Sequence, residues 1–354
     1  MFGFARLWAM VCRCFVVEYE RMKEKKLEAA QRRLPTVIDT LSAAFASLGR
    51  APWLLLPPLL LNLLIWWLPS LQLSTDLATR LLEPLELFLA QMPTEGTAAI
   101  AEYYKLLTSE LTTINLWSAA TWPIFFWPTL ILGHGDGPAV ALQRNGQLVG
   151  MATALAFVGA LLNMAWLALV AGVVQGRPRA FARLLRDGVS ALLRIIGLFL
   201  LLAFIFLAIM TPLLIGASFL VLIVPALGAL LNGVLFLLAT WAGIWIAIHL
   251  YFVLGAILLD DMGILESTRH SILLVRQNFW SALGLIALSW VLSNGFWLIW
   301  LQLSQTTVGQ LVAMGGSAAL GTALAAAMMI YYRDRVPSVK AALVAAKKLA
   351  KEAV

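Results

Sequence analysis

Residues 189–259, VSALLRIIGLFLLLAFIFLAIMTPLLIGASFLVLIVPALGALLNGVLFLLATWAGIWIAIHLYFVLGAILL, decide what kind of protein this is. The tract is 71 residues long and Arg194 is its only formal charge. A membrane-crossing helix needs about 20 apolar residues, so the tract has room for two crossings and a connection. Pro212 and Pro225 mark the connection, because proline removes a backbone donor and its ring collides with the preceding turn. Gly216, Ala217 and Ser218 loosen it further. One crossing is therefore expected at about 189–211 and another at about 228–259, with 213–225 as a turn or a buried half-helix.

The whole chain repeats this character. Of its 354 residues 62% are apolar and 12% charged, against about 45–50% and about 25% in an ordinary soluble domain. Mean hydropathy is +0.89. Too few charges exist to cover the outside of a soluble particle of this size, so lipid is the solvent for most of it. A soluble enzyme, a disordered tail protein and a disulfide scaffold are excluded. Cys12 and Cys14, the two cysteines, read as lone thiols in a cytoplasmic stretch.

Further crossings are expected at 52–69 (PWLLLPPLLLNLLIWWLP), 149–174, 281–303 and 311–332. Between them the periodicity turns amphipathic. Residues 2–17 and 36–50 read as helices on the membrane surface, 18–33 as a solvated helix, and 70–120 as an extracytoplasmic pair of helices. The run TWPIFFWPTLIL at 121–132 is too short to cross and reads as re-entrant or interfacial. Residues 260–280 form an inner-face helix whose start Asp260 and Asp261 favour, and 333–354 a basic amphipathic tail. The fold class is thus all-α, a polytopic membrane bundle of about six crossings. Its organisation is a charged N-terminal region at 1–50, a six-span domain at 51–332 and the tail at 333–354.

Charge sets the orientation. With the N-terminus inside, the inner segments hold 22 of the 25 Lys and Arg residues, and Arg80, Lys105 and Arg144 are the outer ones. That asymmetry puts both termini in the cytoplasm. The net charge of +7 is then orientation signal and attraction to anionic headgroups, with no nucleic-acid footprint. Trp66, Trp67, Trp297 and Trp300 fall at expected outer ends, and Trp53, Trp280, Tyr331 and Tyr332 at inner ends, as two interfacial belts. Trp241 and Trp245 read as packing residues within a span.

Reactive motifs are scarce. The chain has no phosphate-binding loop, no HExxH and no GxSxG, and its three histidines are His134, His249 and His270. No catalytic residue and no cofactor are assigned. His134 and Asp136, in the glycine loop GHGDG at 133–137, are the candidate metal or substrate ligands, although a plain turn explains the same pattern. Asn163, Arg194, Asn232, His249 and Asn294 are polar groups at membrane depth, a possible substrate path or the glue between helices. Asn62 shares that depth. No carboxylate lies within a span, which argues against proton-coupled transport. Gly315, Ala319, Ala323 and Ala327 repeat every four residues, a face that lets helices approach closely within the chain or between subunits.

Gly263 to Trp280, GILESTRHSILLVRQNFW, followed at once by a span, resembles the inner-face helix of membrane domains of the glycerophosphoryl diester phosphodiesterase type and of related six-helix bacterial families. SLGRAPWLLLPPLLL at 47–61 and MMIYYRDR at 328–335 are similar to that group as well. The resemblance implies a bacterial cytoplasmic membrane and a six-helix domain. The catalytic barrel of the family's enzymes finds no counterpart in the 22 residues after the last span, so hydrolase activity is not carried over. The expected role is a non-enzymatic scaffold or accessory factor of the envelope, with a membrane-protein partner or a second copy. The alternative is a permease for a small or lipid-like substrate that uses a broken helix at 212–225.

Overall fold

The computed structural model describes residues 34–90, 97–113, 115–121, 139–177 and 181–352. The surface helix expected at 2–17, the charged helix expected at 18–33, the two cysteines, the 122–132 part of the re-entrant segment, and His134 with Asp136 lie outside these residues. What is described is an all-helical membrane bundle with one small ribbon of strand. Five helices are long and apolar enough to cross a bilayer, and a sixth crossing exists if Val37–Arg50 and Pro52–Trp67, bent by 97°, count as one broken span.

The chain enters through α1 (Val37–Arg50), which a capping box starts: Thr36 Oγ1 accepts from the Asp39 amide at 3.2 Å, and Asp39 Oδ2 accepts from the Thr36 amide at 2.9 Å. Its buried side, with Ala44 and Leu48, packs on the last helix of the chain, while Phe45 is exposed. After the bend come a 3-10 turn, Pro52–Leu55, and α2 (Leu56–Trp67). Pro58 has no N–H to offer the carbonyl of Leu54 four residues back, and the buried Trp166 indole supplies the missing donor at 3.1 Å.

Beyond α2 the expected helical pair is present as α3 (Thr75–Ala90) and α4 (Thr97–Thr113), packed on each other. A two-stranded parallel ribbon joins β1 (Ser70–Leu73) to β2 (Ala139–Leu142) in the register Ser70 to Ala139, and sequence periodicity offers no sign of it. Asn115 Oδ1 accepts from the amides of Leu71 and Trp117, both at 3.2 Å, and Leu71, Leu73, Leu77 and Leu116 form a small core beneath.

The crossings that follow are α5 (Asn145–Val174), α6 (Phe181–Ile223), α7 (Pro225–Leu250) with its continuation α8 (Val253–Asp260), α10 (Phe279–Leu303) and α11 (Thr307–Glu352). Between α8 and α10 lies α9 (Ile264–Gln277), the expected amphipathic helix. Three expectations are corrected. First, α6 runs through Pro212 without a break, so 213–225 is neither a turn nor a half-helix. A proline inside a lipid-facing helix costs a ladder bond but does not force an end. The break falls at Val224 (φ −135°, ψ 87°), pushed out of the helical region by Pro225, which then begins α7 as its first residue. Gly228 allows the hairpin to close this tightly, since a Cβ there would collide with the backbone of Val221. Second, Asp260 and Asp261 do not start a helix: Asp260 ends α8, Asp261 adopts a left-handed conformation (φ 52°), and α9 begins after Gly263. Third, Tyr331 and Tyr332 are at most 1% exposed and belong to the core, whereas Trp241 and Trp245 face outward at 65% and 57% exposure. Trp53, Trp67, Trp280 and Trp297 are exposed, as a belt requires.

The core gathers at one end of the bundle, from the last turns of α5, the first of α6 and α10, α8, α9 and the middle of α11. Ala323 and Ala327 are fully buried there, so this half of the small-residue face of α11 serves packing within the chain, while Gly315 faces open space. No break separates 311–332 from 333–352 in α11. At that end Arg333 Nη1 donates to Val174 O at 2.8 Å, and Arg335 Nη2 donates to Pro35 O at 2.8 Å. At the opposite end Trp66 Nε1 donates to Gln310 Oε1 at 2.9 Å.

The interruption between α7 and α8 is bridged by one hydroxyl. Ser271 Oγ donates to His249 O at 2.6 Å and accepts from the Phe252 amide at 3.2 Å. Replacing Ser271 with Ala, or Trp166 with Phe, leaves buried backbone groups without partners, and each is expected to lower stability by about 1–3 kcal/mol. Denaturant unfolding in detergent, followed by tryptophan fluorescence for S271A and by circular dichroism for W166F, measures the loss.

Candidate functional site

The five candidate residues at membrane depth sit on four helices. Asn163, on α5, is 1% exposed, and Asn232, on α7, is half-buried. His249 ends α7 at 4% exposure, its Nδ1 2.8 Å from Trp245 O and its ring stacked on that of Trp245 at 3.9 Å. Asn294, on α10, is exposed and donates to Trp290 O of its own helix at 2.8 Å. Arg194, on α6, reaches the charged end of the bundle. The bonds of His249, Asn294 and Arg194 therefore lead away from one another, and a shared substrate path does not emerge from them.

What the fold does bring together is a charged layer around the end of α8. A carboxylate at a helix C-terminus faces the negative end of the backbone dipoles, and two of them in succession need cations. Arg194 Nη1 supplies one, 2.6 Å from Asp261 Oδ1, and also caps the Met262 carbonyl at 3.0 Å. Lys340 Nζ lies 3.2 Å from Asp260 Oδ2, and the Tyr332 hydroxyl donates to the same oxygen at 3.1 Å. Elements from α6, α8 and α11 are thus tied at one point. The cluster is invisible to helical periodicity because its members are up to 146 positions apart, from Arg194 to Lys340.

Beside it, Arg335 is 2% exposed. Its guanidinium lies over the Tyr331 ring, 3.6 Å from the centroid, and its Nη2 donates to Pro35 O and, at 3.2 Å, to Ser281 Oγ. Its Nε and Nη1 have no hydrogen-bond partner among the described residues. Stacking on an aromatic face and capping a carbonyl suit a guanidinium better than an ammonium. The sequence signal is present in YYRDR at 331–335, which places Tyr331 and Arg335 four residues apart on one helical face.

His270, on α9, is 6% exposed and its Nδ1 has no hydrogen-bond partner among the described residues. Burial holds its pKa below the usual histidine value, although Glu266 and Asp260 pull the other way while Lys340 and Arg269 reinforce the drop. Among the described residues no group of three or more His, Cys, Asp and Glu side chains is placed to hold a metal ion.

Two grooves lie on exposed flanks. One, of about 430 Å³, is lined on α6 by Thr211, Leu214, Ile215, Ser218 and Phe219. The other, of about 580 Å³, is lined on α10 by Leu298, Ile299, Gln302 and Leu303.

Comparison with protein-family models, characterised proteins and solved structures finds no match to this chain. The class rests on its own helices: among the described residues, five or six of membrane-crossing length and composition around a charged end.

Because the folded state holds His270 neutral, the unfolded chain binds the proton more readily between the usual value of 6.5 and the depressed folded value. Stability is therefore expected to fall as pH drops below about 6.5, and a His270→Gln variant should lose that part of the pH dependence. Thermal unfolding in detergent between about pH 7.5 and about pH 5 checks the slope.

Proposed function

We propose that this chain is a non-enzymatic multi-pass protein of a bacterial cytoplasmic membrane, with both termini inside, acting as a scaffold or accessory factor of the envelope. The observation that carries the reading is the grouping of Arg194, Arg333, Arg335 and Lys340 with the first residues of α1 and the last of α5 and α8 at one end of the bundle. Basic flanks on one side are the pattern that keeps a segment cytoplasmic, and such a surface favours anionic headgroups. On α1 and α9, Ile38, Phe45 and Leu265 are exposed and available to a membrane-protein partner. Nucleic acid has no part in this reading. The resemblance at Gly263 to Trp280 points to the same location.

The permease alternative draws on a broken helix at 212–225 and on the re-entrant segment at 121–132; α6 continues through Pro212 to Ile223 and the break falls only at Val224, while 122–132 lies outside the described residues. Its first support is thereby reduced to a tight hairpin, and the scaffold reading is preferred.

Two measurements test the proposal. Vesicles containing the purified chain are expected to take up small and lipid-like solutes no faster than empty ones; uptake abolished by Asn232→Ala or His249→Ala would establish the permease instead. A cysteine introduced into the 177–186 connector is expected to resist a membrane-impermeant reagent added to intact cells, and labelling there would reverse the orientation.

A further inference from the structure

Among the carboxamides at membrane depth Asn294 stands apart. Asn62 and Asn163 are buried at 2% and 1% exposure, and Asn232 is half-buried. Asn294 is exposed, nine residues from the end of α10, which is about 14 Å along the helix and well inside the hydrocarbon layer. The exposed hydroxyls of Ser218 and Thr240 each spend their single proton on a carbonyl of their own helix, Leu214 O at 2.8 Å and Phe236 O at 2.9 Å. A carboxamide cannot be silenced in this way. One N–H of Asn294 goes to Trp290 O, and among the described residues the second N–H and the carbonyl oxygen find no partner on this exposed face, where lipid makes an unmet polar group costly.

The face around it is prepared for a neighbour. Trp290, Asn294, Leu298 and Gln302 follow one another at four-residue spacing and all are exposed, Trp290 and Leu298 at 68% and 63%. Leu285, which is fully buried in the core, lies half a turn round from Asn294, so the stripe looks away from the bundle. Its outer half continues into the 580 Å³ groove that Leu298 and Gln302 help to line.

We propose that this stripe of α10 is where two copies of the chain associate within the membrane, with the Asn294 carboxamides pairing across a two-fold axis. The occupant follows from complementarity. An axis along the membrane normal brings the same residue of both copies to the same depth, and a carboxamide carries both a donor and an acceptor, so each amide satisfies the other. A partner of different sequence would need its own polar group at this one depth. The pairing requires α10 to cross the bilayer, and it is independent of which side the termini face.

The test uses the full chain in native membranes with Cys12 and Cys14 replaced by Ser. A Leu298→Cys variant is expected to form a disulfide-linked dimer on mild oxidation, and Phe204→Cys, 71% exposed on α6, to remain monomeric. Two differently tagged versions expressed together should appear in the same cross-linked band. Adding Asn294→Leu should reduce the dimer fraction about threefold or more, and Asn294→Gln should retain it. A monomeric L298C, equal cross-linking at position 204, indifference to N294L, or an adduct containing another protein would each overturn the proposal. Impermeant labelling of the 177–186 connector, run alongside, reports failure of the orientation separately.

Discussion

Lipid offers a protein no hydrogen bonds, so wherever a helix of this bundle bends or ends in lipid or in the packed interior it must find its partner inside the chain. The polar side chains at the charged end answer that requirement one by one. Trp166 serves the Leu54 carbonyl that Pro58 cannot serve, and Ser271 serves both sides of the α7–α8 interruption. Arg333 caps the last carbonyl of α5, Gln175 reaches Leu259 O at the end of α8, and Arg194 takes Met262 O. Arg335 holds Pro35 O, just ahead of α1. Of the residues singled out for chemistry, Arg194 is in this fold a cap near a helix end.

Charge placement follows from the same need. The C-terminus of α8 carries two carboxylates where the helix dipole disfavours them, and Arg194 and Lys340 approach from α6 and α11 to offset this. Asp261 is well exposed, so its ion pair alone contributes little; it is the additional carbonyl that Arg194 takes which makes the contact structural. A single stretch of α11, from Tyr331 to Lys340, then touches Pro35, Val174, Asp260 and Ser281. The helix expected to divide into a span and a separate tail is in fact one rod, and its charged continuation locks the others in place.

Much of this is legible in the sequence, and the failures have physical causes. Apolar length locates the crossings at 149–174 and 281–303 to within a few residues of Asn145–Val174 and Phe279–Leu303, because in lipid the length of an apolar run is itself the constraint. Amphipathic period finds α9. Proline misleads at 212, where the helix continues, and is informative at 225, where the residue before it is forced out of the helix. Tyr331 and Tyr332 look interfacial because aromatic residues at a span end usually are; here the neighbouring helices bury them. The β1–β2 ribbon and the Asp260–Lys340 and Arg335–Pro35 contacts join distant parts of the chain, and no local pattern encodes them.

The bundle is unevenly built. The most apolar windows of α6 and α10 are each only 17% buried within the chain, against 61% for α5. In water such faces would drive collapse, but in a bilayer the tails solvate them and no hydrophobic force presses helix on helix. Apolar packing is sparse along the α6–α7 hairpin, and on the outer half of α10 it includes the small cluster of Trp300 with Ala313 and Met314. Placement also comes from the end where Arg194, Ser271 and the Tyr331–Arg335 stretch bind these helices, and from the tight turn at Gly228. A base held by directional bonds with arms solvated by lipid leaves the arms free to take a neighbour without rebuilding the core, and on such an arm a single unsatisfied amide has a weight that it would not have in a soluble protein.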